Sequence, residues 1–139
     1  MPRPSVWLVR AALLHLGVGI TFGALMLWNK GLPFEPLLWV LYLPHIEMLL
    51  FGWTVQLIMG VAFWIVPRFS NEPRYGRVGL VWGAMACLNA GVLLLVAAYL
   101  LNSPPAWVLA GRGLELLAVA LFAAHVWPRI KPMSDVQPP

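Results

Sequence analysis

Hydrophobic positions fill the chain in four long runs, Val6 to Trp28, Leu37 to Val66, Val78 to Leu101 and Pro105 to Trp127, and the charges and prolines collect mostly between them. Each run meets the length of about 20 residues that an α-helix needs to cross bilayer hydrocarbon. Polar positions within them are too sparse for the one-sided stripe of a soluble amphipathic helix. The pattern predicts an all-α fold, a four-helix transmembrane bundle occupying residues 1–127 as a single domain. Residues 128–139, rich in proline and polar side chains, read as a disordered tail. The first run is too long for a signal h-region and lacks a small-residue cleavage site, so it reads as a span and not as a signal peptide.

Composition agrees. The 139 residues are 61% hydrophobic and 10% charged, against roughly one-quarter charged in a soluble domain. Arg3, Arg10, Arg68, Arg74, Arg77, Arg129 and Lys131 all fall on the side that an even number of spans gives to both termini. The other side has Lys30 with Glu35, and the uncharged turn Asn102-Ser103-Pro104. Cations accumulate on the cytoplasmic side, so both termini are predicted cytoplasmic. This bias and its attraction to anionic membrane lipid account for the net charge of +4 without nucleic acid as a partner. Cys87 is the only cysteine, which rules out an intrachain disulfide and reads as a buried, inert thiol. Trp7, Trp28, Trp39, Trp64, Trp107 and Trp127 sit near helix ends, where indole prefers the headgroup boundary.

Few groups inside the runs carry chemistry. His45 opens the apolar part of the second run, directly after Pro44, where the helix is expected to kink or to begin after an interfacial segment from Phe34 to Leu43. An imidazole is costly to leave unpartnered in hydrocarbon. Its helical face continues through Met48, Leu49, Gly52, Gln56 and Met59. That face suits the edge of a flat cofactor bound to His45, with Gly52 admitting it to the backbone, and serves equally as a helix-packing notch. His15 has a similar face, through Gly19, Phe22, Gly23 and Met26, about 8 Å from His45 in depth. Whether both imidazoles meet one iron stays open. His125 lies some 30 Å from the outer ends and reads first as an interfacial or core histidine.

Glu47, Arg112 and Glu115 all fall in the outer half at the depth of His45, and Arg112 and Glu115 share one helix face. They form either a buried charge cluster or, with Arg112 turned to a cofactor, a partner for haem propionates. His45 and Glu47 point about 200° apart on a helix, which weakens them as a pair of metal ligands. Gly19 with Gly23, and Gly79 with Gly83, are small-xxx-small pairs suited to close helix contact, and Gly91 adds a further gap. No phosphate loop, HExxH, GxSxG, zinc-spaced Cys/His cluster or CxxCH haem-attachment motif occurs.

The segment His45, Leu49-Leu50, Gly52-Trp53, Met59-Gly60 and Phe63-Trp64-Ile65-Val66-Pro67-Arg68 resembles the second transmembrane helix of haem-copper oxidase subunit I, including the bacterial nitric-oxide reductase branch. The likeness covers about 25 residues of the chain. It implies that His45 is an axial ligand of a non-covalent haem b, to which the residue faces described above add His15 as the candidate second ligand and Gly52 and Arg112 beside the cofactor. It further implies electron transfer or diatomic-gas binding, in the inner membrane of a prokaryote, with a redox partner or respiratory complex. Three histidines are too few for a complete haem-copper site in one chain, and no His-His pair occurs. Subunit I arranges twelve helices as three arcs of four, which implies a homo-oligomer, a trimer or alternatively a dimer. Two other readings stand beside this one. The first is a cofactor-free accessory or assembly subunit of a respiratory complex. The second is a divalent-metal site from His45, Glu47 and Glu115, if Pro44 distorts the helix start, while His125 stays a lower-ranked candidate for the second haem ligand should His15 not fill that place.

Overall fold

The computed structural model describes residues 1–130. It contains helices α1 (Arg3–Gly31), α2 (Tyr42–Glu47), α3 (Gln56–Ile65), α4 (Val78–Leu100) and α5 (Pro105–Val126), and no strand among the described residues. A 3₁₀ turn over Pro36–Leu41 leads into α2, and a π-helical segment, Met48–Val55, joins α2 to α3. Pro36–Ile65 is thereby one continuous second span, and four helices are long and apolar enough to cross a membrane.

Local chemistry sets the turns. After α1, the Asn29 side-chain oxygen accepts the N–H groups of Phe34 and Glu35, and the Glu35 carboxylate accepts that of Leu37, which starts the 3₁₀ turn. At the end of α4, Asn102 takes a left-handed conformation with φ 49° and the Ser103 N–H reaches back to the Ala98 carbonyl. This is the Schellman arrangement that closes a helix, and Pro104-Pro105 then opens α5.

Pro44 sits in the first turn of α2, which begins two residues earlier at Tyr42 after the 3₁₀ turn, close to the expected start. The Met48 N–H is shared between the Pro44 and His45 carbonyls, and the ladder then widens into the π segment. Within it the Thr54 hydroxyl donates to the Leu49 carbonyl at 2.8 Å, reaching five residues back as the wider turn allows.

Backbones approach most closely in two pairs, α1 with the second span and α4 with α5. The α4–α5 crossing is built on Gly91 and Gly111: a Cβ at Gly91 would lie 2.9 Å from the Gly111 carbonyl oxygen. Gly79 faces open space and a Cβ at Gly83 would make only ordinary contact, at 3.5 Å, with the Leu121 side chain of α5, so the Gly79/Gly83 pair is not the point of closest approach. Leu8, Phe63, Val81, Leu88 and Ala118 join all four spans in the half nearer the termini. Leu14, Leu27, Ile58, Leu109 and Leu116 are exposed on the outside, as a hydrocarbon-facing surface requires.

The chain stays packed beyond the expected start of the tail at Pro128. Trp127–Arg129 forms a 3₁₀ turn and Arg129 is only 1% exposed, since its guanidinium finds acceptors inside the bundle. The rest of the expected tail, 131–139, lies outside the described residues.

Candidate functional site

The face that continues from His45 lies against α1, and the two helices exchange histidines for glycines. His45 sits over the gap at Gly23, where a Cβ would come within 2.7 Å of its Cε1. Its Nδ1–H donates to the Gly19 carbonyl at 2.7 Å. A carbonyl only accepts, so this bond leaves Nε2 with its lone pair. About seven residues along the second span, Gly52 receives His15, whose Cγ would be 2.7 Å from an added Cβ. Met48 and Leu49 fill the gap at Gly19 between them. The two imidazoles therefore lie on one seam, spaced by about 10 Å. His15 is buried beside Gly52 and Gln56, and its Nδ1 and both amide atoms of fully buried Gln56 have no partner among the described residues.

Glu47 leaves the second span on the side away from His45 and meets α5. Arg112 grips it with two donors, Nη1 to Oε1 at 3.0 Å and Nη2 to Oε2 at 2.7 Å, and also donates to Glu115 Oε2 at 2.6 Å. Both carboxylates are 3% exposed and Arg112 is 39% exposed. The guanidinium also lies 5.0 Å from the Phe51 ring centre. Two buried carboxylates facing one guanidinium leave little to draw a further carboxylate, so an incoming propionate would compete with Glu47 and Glu115 for the same donors. A cavity of about 720 Å³ reaches Arg112 from the loop face, between the start of the second span and the α4–α5 turn.

The third histidine belongs to the other end. His125 Nδ1–H donates to the Arg77 carbonyl at 3.1 Å, and Arg129 Nη1 donates to its Nε2 at 3.2 Å. Both ring nitrogens are used, and the ring stacks on Phe63 with centres 5.3 Å apart. Arg129 donates to the carbonyls of Phe63, Val66 and Pro67, capping the end of α3.

The structure thus brings Glu47, Arg112 and Glu115 together and sets His15 and His45 on a common seam, with His125 apart from both. Among the described residues no group of three His, Cys, Asp or Glu side chains gathers to hold a metal ion, because both carboxylates turn to Arg112 while His45 turns to α1. The donor chemistry of His45 fits an axial haem ligand. Metal-bound imidazoles hold their far N–H on an acceptor, and His45 Nε2 bonds to no described residue and is not sealed from the surface. Gly52 is filled by His15 and so offers no gap to a macrocycle in this arrangement. Arg129 and the unpartnered Gln56 amide are the polar features that reading the sequence did not single out as sites. The placement of Gln56 four residues after Gly52 was the available signal. Comparison with protein-family models, curated proteins and solved structures finds no match to this chain.

Proposed function

We propose that the chain is a small haem b protein of a prokaryotic plasma membrane, related to part of haem-copper oxidase subunit I, with both termini cytoplasmic and His45 as the axial ligand. The observation that supports this is the Nδ1–H bond of His45 to Gly19, which selects the tautomer that presents Nε2 to a metal. Haem bound there would supply one-electron redox chemistry or an iron position for a diatomic gas. The protein's part is to fix the imidazole and exclude water. Two metal–nitrogen bonds of about 2 Å each do not bridge imidazoles about 10 Å apart along a seam. A second ligand would therefore come from another copy in a trimer or dimer, or from His15 after a helix shift.

A reduced-minus-oxidised visible spectrum of the detergent-purified protein tests the proposal. Haem bands in the wild type and their loss in His45→Ala are expected, whereas an unchanged Soret band in His45→Ala would remove His45 from the site. A second reading, the cofactor-free accessory subunit, draws support from the filling of Gly23 by His45 and of Gly52 by His15, which gives both imidazoles a packing role. It expects no haem bands, and lower stability in either histidine variant.

A further inference from the structure

At the face carrying the termini, a cavity of about 410 Å³ lies between the segment before α4 and the end of α5, lined by Phe69, Gly76, Arg77, Leu80, Ala124, His125 and Pro128. Its walls are mostly apolar, but its charge is one-sided. Arg77 borders it and forms no ion pair among the described residues. Behind His125 stands Arg129, 1% exposed and likewise without a carboxylate partner among the described residues.

The carbonyls that Arg129 caps at the end of α3 supply only about half a negative charge, so positive charge is left over behind His125. Arg68 lies 5.1 Å from the Tyr75 ring centre, and the Tyr75 ring is in turn 6.0 Å from the Arg129 guanidinium, so a further cation stands in the same group. The acid of this connection, Glu72, is exposed and bonded to Arg74. A buried cation without a counter-charge is rare because its desolvation is uncompensated, and an anion in the cavity would supply the missing charge.

We propose that this cavity is a binding site for the phosphodiester headgroup of an anionic phospholipid. Arg77 meets the phosphate at the rim, Arg129 acts on it through His125, and Leu80 and Ala124 contact the glycerol and the upper acyl chain. Charge complementarity selects an anion, and apolar walls in a helix-to-helix cleft at headgroup level select one with a lipid tail. The site stands apart from His45 and does not depend on haem.

Native mass spectrometry in mild detergent tests it, with the full chain exposed to equal amounts of dioleoylphosphatidylglycerol and dioleoylphosphatidylcholine. The wild type should retain the anionic lipid about tenfold better. Arg77→Gln should lower that retention about fivefold, the worth of one cation near the membrane surface, while Arg3→Gln, which removes the same charge from an exposed position outside the cavity and its cation group, changes it less than about twofold. Leu80→Trp, which fills the cavity and keeps every charge, should also reduce retention. Equal retention of the two lipids, equal losses in Arg77→Gln and Arg3→Gln, or full retention in Leu80→Trp would overturn the proposal. Displacement of the lipid by millimolar inorganic phosphate would do so too, since it would mark a simple anion site.

Discussion

Arg112, near the loop face, and Arg129, near the termini, both carry a guanidinium into a bundle meant for hydrocarbon, and the partners they find differ in kind. Arg112 meets two carboxylates and remains 39% exposed. Arg129 is 1% exposed and meets three backbone carbonyls and an imidazole, with the mutually stacked rings of Phe63 and Tyr75 centred 5.2 Å and 6.0 Å from its guanidinium. In the first case charge is balanced by side chains, which can be replaced together. In the second the donors are met mainly by backbone carbonyls, which no substitution can remove and which leave part of the positive charge uncompensated. Side-chain pairing makes a replaceable cluster, whereas backbone pairing ties the arginine to the fold itself.

That contrast is breakable, and Arg129 gives the largest expected effect. Arg129→Leu leaves three carbonyls and His125 without their donor, at about 1–3 kcal/mol for each buried group left unsatisfied. A loss of about 4 kcal/mol or more is expected in unfolding measured in mixed micelles. Arg129→Lys should recover less than half of it, because an ammonium lacks the planar fork. A loss under about 1 kcal/mol would mean that the capping is not holding α3 to α5.

Arg112→Leu comes next, at about 2–3 kcal/mol, reduced because the group is partly exposed and screened. Its sharper test is the combined variant Arg112→Leu, Glu47→Gln, Glu115→Gln. If the cluster is replaceable, neutralising all three returns stability to within about 1 kcal/mol of the wild type. No recovery would place Arg112 in the same class as Arg129. The haem bands offer a second readout of Arg112→Leu. A guanidinium already engaged by Glu47 and Glu115 should leave them unshifted.

His125→Phe keeps a ring against Phe63 and deletes both hydrogen bonds, for an expected loss of about 1–2 kcal/mol. The smallest effects should be Tyr99→Phe, whose contact to Arg112 is long at 3.4 Å, and Glu72→Gln at the exposed pair with Arg74. Both should stay within about 0.5 kcal/mol in the same unfolding measurement. A larger value for Tyr99→Phe would show that the hydroxyl tightens in the membrane and belongs to the cluster.

The four spans were legible because membrane crossing is a matter of apolar length, which a sequence displays directly. So was the Glu47, Arg112, Glu115 cluster, since counting residues from the helix ends placed all three at one depth, and the opposite directions of His45 and Glu47 followed from helical spacing. What stayed hidden depends on neighbours. The π segment arises where the second span meets the glycine gaps of α1. The close α4–α5 crossing lies at Gly91 and Gly111 and not at Gly79 and Gly83, because small residues mark where helices are able to meet without saying which partner arrives. Arg129 reads as a headgroup cation until the 3₁₀ turn at Trp127–Arg129 swings it inward.

The reciprocal seating of His45 on Gly23 and His15 on Gly52 also bears on how the protein is made. Sliding α1 against the second span by one turn, about 5.4 Å, would unseat both rings, and although one direction would bring Gly19 under His45, neither direction offers a glycine to both rings at once. The first two spans therefore have one alignment with nothing stable close beside it. A nascent hairpin of these spans carries that alignment within itself before α4 and α5 have left the ribosome. The later pair then docks onto a platform whose register is already chosen, and a slipped first hairpin would be recognisable to quality control as two imidazoles turned out into lipid.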